Sequence, residues 1–306
     1  MTADALDPIC TRDAWLAADQ ARVWERAEVI SVDRSRPVPE PRTSEPRTSE
    51  PRTSGSRVPE PRVPRSGVPG SEVLADERKL GTAILRLRLP NVPDALPGQY
   101  YLVRLPVDSP PGVAEQAYSV CSSPYPSTPE IEVAVREVPH GRVSTVLARR
   151  TRPGDVLEVR GPFGFLTWTE RDRGPIGLVG AGTGVAPLAA IIRYGAARGL
   201  EIPMTLLCSS RDRSDVLLGT ELDAFHHRFN WFTLVHTFTR APYDPSVRYH
   251  RRIDTGMLAD VFMAAPPARR PNSYYVAGPA DMVTAVRAML GTLGVTDDRI
   301  YSEDHS

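Results

Sequence analysis

Apolar and polar residues alternate along AILRLRLP at 83–90, the period of two that buries one face of a strand and leaves the other polar. Other short stretches read as strands: AEVISVD at 27–33, PGQYYLVRLP at 97–106, AYSVCSS at 117–123, EIEVAVREV at 130–138 and DVLEVRGPF at 155–163. Pro97 and Pro153 each precede a glycine, which supplies turn geometry between them. Short strands at this spacing predict a small antiparallel β-barrel. From Gly174 the period changes. Strand-like IGLVG, PMTLLCSS, WFTLVHTFT and SYYVAG now alternate with helix-like stretches at 187–199, 214–229, 255–264 and 281–294. Strands alternating with helices predict a doubly wound parallel sheet covered on both faces. The reading is therefore a two-domain β + α/β chain: a barrel domain over 23–172 and an α/β domain over 173–306. Residues 1–22 form an N-terminal arm with helical spacing at 13–24.

One segment fits neither pattern. PRTSE begins at Pro41 and again at Pro46, and PRTSG follows at Pro51, inside a Pro/Arg/Ser/Glu/Val-rich run over 36–70. With almost no large apolar residues it cannot offset its ordering entropy, so it is expected to be a disordered insert. A docking tail and an expanded loop without a role both fit that composition.

The chain has 306 residues, with 37 Lys and Arg against 37 Asp and Glu, so nothing global points to a nucleic-acid or anionic-membrane partner. The start, MTADALDPIC, lacks a basic stretch followed by an apolar core, so no signal peptide is read and a cytoplasmic location is expected. The uncharged run 174–192 carries five glycines and two prolines, which suits strand–turn–helix rather than a membrane span. Three scattered cysteines, Cys10, Cys121 and Cys208, exclude a disulfide framework or a four-cysteine iron–sulfur site. His226 and His227 are adjacent on a helix-like stretch and point to different sides, so no metal site is expected there.

Chemistry concentrates where strands of the α/β part end. In a doubly wound sheet, ligands sit beyond the C-terminal ends of the strands. GLVGAGTGVAP at 177–187 is a strand running into a glycine turn that holds a phosphate, although from Gly180 the third glycine of G-x-G-x-x-G arrives one residue early, at Gly184. SSRDRS after Cys208 and AGPADM after Val276 occupy the same rim. No G-x-S-x-G elbow supports a nucleophilic serine.

GAGTGVAP, the later GPxxMV at Gly278, Pro279, Met282 and Val283, and the preceding AYS together resemble the ferredoxin–NADP reductase family of flavoproteins. The resemblance runs from about Arg26 to the C-terminus outside the insert, and is closest to stand-alone members without an iron–sulfur domain. It implies FAD on the barrel and NAD(P)H on the second domain. Gln116-Ala117-Tyr118-Ser119 matches the family's R-x-Y-S, so Tyr118 would pack on the isoalloxazine and Ser119 would lie near its N5. Gly141, Arg142, Val143 and Ser144 match G-x-x-S, where a helix start would hold the FAD pyrophosphate. Gly182, Thr183 and Gly184 would hold the pyrophosphate of the nicotinamide cofactor. Thr239-Arg240, with Arg211 and Arg248 as helpers, resembles a 2′-phosphate site, which favours NADPH while leaving NADH open. The implied partner is a separate electron acceptor, a ferredoxin or an oxygenase component.

Three positions depart from the family pattern. Gln116 replaces an arginine, a loss of charge assistance worth about 1–2 kcal/mol of FAD binding unless Arg142 or Arg104 compensates. Ala277 replaces a cysteine that often precedes GP. Glu303 matches the family's C-terminal acid, but His305 stands where an aromatic residue covers the flavin; a stacking imidazole and a frayed tail residue both fit it. These changes also suit a degenerate nucleotide- or partner-binding subunit without catalysis. A reductase of free flavin or another small acceptor is a further alternative. Trp168 is read as interface packing rather than a flavin neighbour, and Tyr274, Tyr275, Trp231 and Phe232 as core.

Overall fold

The computed structural model describes residues 22–34, 81–108, 111–172, 174–241 and 243–304. Residues 1–21 of the expected N-terminal arm, the expected insert over 36–70 and His305 lie outside the described residues, and Arg22–Trp24, where the helical spacing ends, are not helical.

Six strands form the first sheet: β1 (Glu25–Arg34), β2 (Thr82–Arg88), β3 (Tyr100–Asp108), β4 (Pro111–Ser119), β5 (Glu130–Arg136) and β6 (Val156–Phe163). They run antiparallel in the order β4-β3-β6-β1-β2-β5. A bridge from Val120 to Val133, with the Cys121 N–H donating to the Glu132 carbonyl at 2.8 Å, brings the ends of β4 and β5 together. The predicted barrel is therefore present. Alternation explains its interior: Leu85 and Leu87 of β2 are fully buried, alternate with exposed Arg86 and Arg88, and pack with Val103, Val133 and Val159.

Five parallel strands form the second sheet: β7 (Ile176–Ala181), β8 (Met204–Ser210), β9 (Phe232–Phe238), β10 (Ser273–Gly278) and β11 (Ile300–Asp304). Their order is β11-β10-β7-β8-β9, so the direction of winding reverses between β7 and β10. Helix α1 (Val185–Ala197) and α2 (Gly219–Arg228) cover one face. On the other lie α3 (Thr255–Leu258), a single wide turn over Ala259–Met263, and α4 (Ala280–Thr292). The helix-like stretch at 214–229 begins only at Gly219, because Leu218 takes a left-handed φ of 55° and the chain first makes a separate turn at Arg213–Asp215 capped by Asp212. The expected helix after Gly141 is present but short: Ser144 and Thr145 are helical, with the Thr145 N–H donating to the Gly141 carbonyl at 3.3 Å, and one wide turn over Val146–Arg150 ends it. Among the described residues no helix is long and apolar enough to cross a membrane, and no group of three or more His, Cys, Asp or Glu side chains could hold a metal ion.

One apolar cluster joins both sheets. Leu166 and Trp168, in the segment leaving β6, and Ala134 of β5 pack with Leu188, Ile191 and Ile192 of α1. Trp168 is fully buried, edge-on to Tyr194. Burial of an indole stabilises by about 4–6 kcal/mol, which outweighs the ~1–3 kcal/mol lost because its Nε1 finds no partner. Packing is thus the role the structure gives Trp168. Tyr274, Tyr275, Trp231 and Phe232 are buried as well.

Candidate functional site

A cleft of about 880 Å³ opens between the barrel and the C-terminal ends of β7, β10 and β11. That is where a reversal of winding leaves room for a ligand. Its barrel wall is the end of β4, with Glu115, Gln116, Tyr118 and Ser119. The register sets Tyr118 beside Tyr101 and Gln116 beside Val103, so both side chains share a face with the barrel core. Tyr118 is 6% exposed and its buried hydroxyl has no hydrogen-bond partner. Burial holds that phenol well above its ordinary value, so it stays protonated, a donor without an acceptor.

The floor is the loop after β5. His140 adopts a left-handed φ of 59°, and the chain then folds so tightly that a side chain at Gly141 would overlap the Ser144 hydroxyl and come within 3.0 Å of the Val138 carbonyl. The Ser144 hydroxyl accepts from the Val138 N–H at 3.3 Å. Arg142, Val143 and Ser144 line the cleft at this point.

The opposite wall is the glycine turn. β7 runs out at Ala181, Gly182 takes a left-handed φ of 57°, and Gly182–Gly184 form a tight turn that enters α1. Pro187 falls in the first turn of α1, where a missing N–H costs no helix bond. Gly184 packs directly on the Ala277 carbonyl, leaving no space for a methyl group. Ala181, Gly182, Thr183 and Pro279 face the cleft, and Glu303 and Asp304 close it from β11.

Gln116, Tyr118, Ser119, Gly141, Arg142, Val143, Ser144, Gly182, Thr183, Pro279 and Glu303 therefore meet in one cavity. Other expected site residues sit around it. Ala277 is fully buried, and Gly278 packs against Met282. Thr239 and Arg240 join Ser210 and Arg211 through Thr239 N–H to Ser210 O at 3.0 Å and Arg240 N–H to Arg211 O at 2.9 Å, on the same edge of the sheet. Two expected helpers are otherwise engaged. Arg104 pairs with Glu158 at 2.7 Å and lies over the Trp24 ring, so it does not replace the charge missing at Gln116. Arg248 pairs with Asp260 at 2.8 Å and lies over Tyr249.

The sequence reading missed Tyr100, Glu115, Arg136, His140 and Asp304. Arg136 has the clearest part. Its guanidinium is 3.5 Å from where a Gly182 side chain would begin and donates to Asp215 at 2.8 Å, while its Nε is buried without a partner. Its place at the end of the 130–138 alternation was the available signal. Cys121 and Cys208 are buried, and desolvation pushes both thiols up to about 12, so neither is a nucleophile near neutrality.

Two family models match this chain: an oxidoreductase FAD-binding domain over residues 76–168 and an oxidoreductase NAD-binding domain over residues 178–288. The ferredoxin–NAD(P)(+) reductase component of the naphthalene 1,2-dioxygenase system of Pseudomonas putida is 28% identical over 222 residues, which cover 72% of this chain and 63% of that protein. A flavohemoprotein of Deinococcus radiodurans is 27% identical over 212 residues, covering 69% of this chain and 52% of its own. The match thus spans less than two thirds of either relative. A ferredoxin NADP+ reductase from Neisseria gonorrhoeae shares the fold with a TM-score of 0.62 at 20% identity, over 73% of this chain and 92% of that one.

The residues present fit both groups. The orphaned Tyr118 hydroxyl and the tight loop at Gly141 make a cradle on the barrel side. The left-handed Gly182 turn at the mouth of α1 makes a second, anion-accepting cradle facing it.

Proposed function

Because the chain belongs to the ferredoxin–NADP reductase family of flavoproteins, we propose that it is an NAD(P)H-dependent flavoprotein reductase serving a separate acceptor, a ferredoxin or an oxygenase component. One observation carries the reading: the end of β4, the Gly141–Ser144 loop and the Gly182–Gly184 turn, far apart in sequence, line a single cleft. With both groups bound, the nicotinamide and the flavin would supply the hydride and electron-transfer chemistry.

The chain's own residues align, hold and shield. Tyr118 would hold the flavin ring with its flat side chain, and the neighbouring Ser119 hydroxyl, 7% exposed, would offer it a hydrogen bond. Backbone N–H groups at Val143 and Ser144 would hold the FAD pyrophosphate, with Arg142 in the same loop to supply charge since Gln116 brings none. The Gly182–Gly184 turn holds the second pyrophosphate, approached from the barrel by Arg136. Ala277, Gly278, Pro279 and Met282 shape the rim at the end of β10 beside that turn. Glu303 supplies the carboxylate at the mouth. Arg211, Thr239 and Arg240 favour a 2′-phosphate and hence NADPH. The protein's contribution is alignment and exclusion of water. The name of the Pseudomonas relative supports the acceptor class.

The test is an anaerobic NADPH titration of the protein loaded with FAD, following the flavin absorption band near ~450 nm with flavin retention checked. Bleaching of bound flavin is the expected result. Flavin that never binds, or binds without bleaching under NADPH or NADH, would replace this reading with a nucleotide- or partner-binding subunit.

A further inference from the structure

The outward face of β5 meets the second sheet rather than solvent. Ile131, Val133 and Val135 belong to the barrel core, so Glu132, Ala134 and Arg136 point the other way. Ala134 is 3% exposed and packs in the cluster with Leu188 and Ile191 of α1. Glu132 accepts from Arg193 of α1 at 2.8 Å and from Arg86 at 2.6 Å. Arg136 donates to Asp215, in the loop after β8, at 2.8 Å. At one end of the seam the barrel presents an anion to a cation, and at the other a cation to an anion, with a methyl group between. A reversed docking would set like charges together and a shifted one would break both pairs, so this polarity favours one register.

Arg193 is the hub. Its fork also engages Glu221 of α2 through both carboxylate oxygens, at 2.8 and 2.5 Å, and donates to the Cys121 carbonyl at 2.9 Å. Cys121 lies two residues beyond the Tyr118–Ser119 end of β4, and α1, which carries Arg193, begins at the Gly182–Gly184 turn. The guanidinium therefore links, over one rigid helix and one short stretch of strand, the two walls of the cleft.

We propose that Arg193 is a positioning residue for hydride transfer, holding the dinucleotide turn at a fixed distance from the Tyr118–Ser119 wall. This rests on the reductase reading. Lysine keeps the charge but has no planar fork for Glu221, Glu132 and the Cys121 carbonyl together. Small misplacements of reacting groups slow a reaction without weakening binding in proportion.

The experiment compares wild type with R193K, R193Q and E132Q, each loaded with FAD, in anaerobic single turnover against a range of NADPH concentrations. FAD affinity is measured by flavin fluorescence and unfolding by calorimetry. The limiting rate of flavin bleaching is expected to fall roughly ten- to a hundredfold in R193K and R193Q. The half-saturating NADPH concentration and the FAD affinity should stay within twofold. Limiting rates within twofold of wild type would overturn the proposal even if the melting temperature drops, since that is the signature of a purely structural ion pair. If R193Q does not fold, R193K and E132Q decide by the same criterion. If wild type itself never bleaches bound flavin, the reductase reading fails and calorimetry judges the clamp. One transition in wild type splitting into two in R193K supports it, and an unsplit transition in R193K overturns it.

Discussion

Gly184→Ala and Gly182→Ala, two substitutions of the same chemistry two residues apart, are expected to fail for different reasons. Gly184 has φ −61° and ψ −12°, ordinary values for any residue, so its backbone needs no glycine. Its surroundings do. A β-carbon there would lie 2.5 Å from the Gly278 nitrogen and overlap the Ala277 carbonyl, about 1 Å inside the ~3.5 Å at which unbonded heavy atoms rest. Those neighbours are backbone of β10, paired to β7 through Val276–Val179 and Ala277–Gly180, and cannot rotate away. The cost should sit at the upper end of overpacking, about 3 kcal/mol, and lower the melting midpoint by roughly 6–12 °C. Gly182 is the reverse case. Among the described residues only the Arg136 guanidinium lies within 4 Å of a β-carbon there, at 3.5 Å, but φ is 57°. Alanine then costs about 1–2 kcal/mol through conformation alone. Because Gly184→Ala pushes the turn off β10, it should also weaken dinucleotide affinity at least ~10-fold, read by titrating NADPH against the quenching of bound-flavin fluorescence. A Gly184→Ala protein as stable as Gly182→Ala, with wild-type dinucleotide affinity, would refute the packing argument.

Gln116→Arg restores a charge at a position lining the cleft and should tighten FAD binding about five- to thirtyfold in a fluorescence titration; unchanged affinity would mean another group already supplies the charge. Tyr118→Phe removes a buried hydroxyl that has no partner, so the flavin-free protein should gain ~1 kcal/mol in a thermal melt while FAD binding weakens; a loss of apo stability would show that the hydroxyl has an acceptor after all. Burial, partly opposed by Asp223 at 3.3 Å, holds His236 below its usual 6.5. The unfolded chain therefore takes up this proton first, so the stability His236 contributes is present above pH 6.5 and is lost as pH falls through its lower folded value. His236→Gln should flatten the decline of melting temperature between pH 7.5 and 5, and an unaltered slope would count against the sign.

The glycine turn was legible because its chemistry is local: closely spaced glycines after an apolar strand need no distant partner to be recognised. The barrel strands were legible through alternation, and the parallel sheet through the change of period at Gly174. Arg136 was not, since its partner Asp215 lies 79 residues away and a charged residue alternating on a strand reads as solvent-facing. For the same reason the notion that Arg104 replaces the missing charge was reasonable from sequence and wrong in space, where Glu158 holds it. The helix expected after Gly141 does start there, at Ser144, but it ends at Arg150, where Thr151 turns to extended backbone with ψ 138°.

β5 is barrel by its hydrogen bonds and second-domain surface by its outward side chains. A chimera that joins this barrel to the nucleotide half of a relative in the connection between β6 and β7 would keep Glu132, Ala134 and Arg136 facing helices built for a different strand. The transferable module is therefore not a contiguous stretch of chain. It is the parallel sheet together with three alternate residues of β5, which would have to be grafted with it for the two halves of the cleft to face each other correctly.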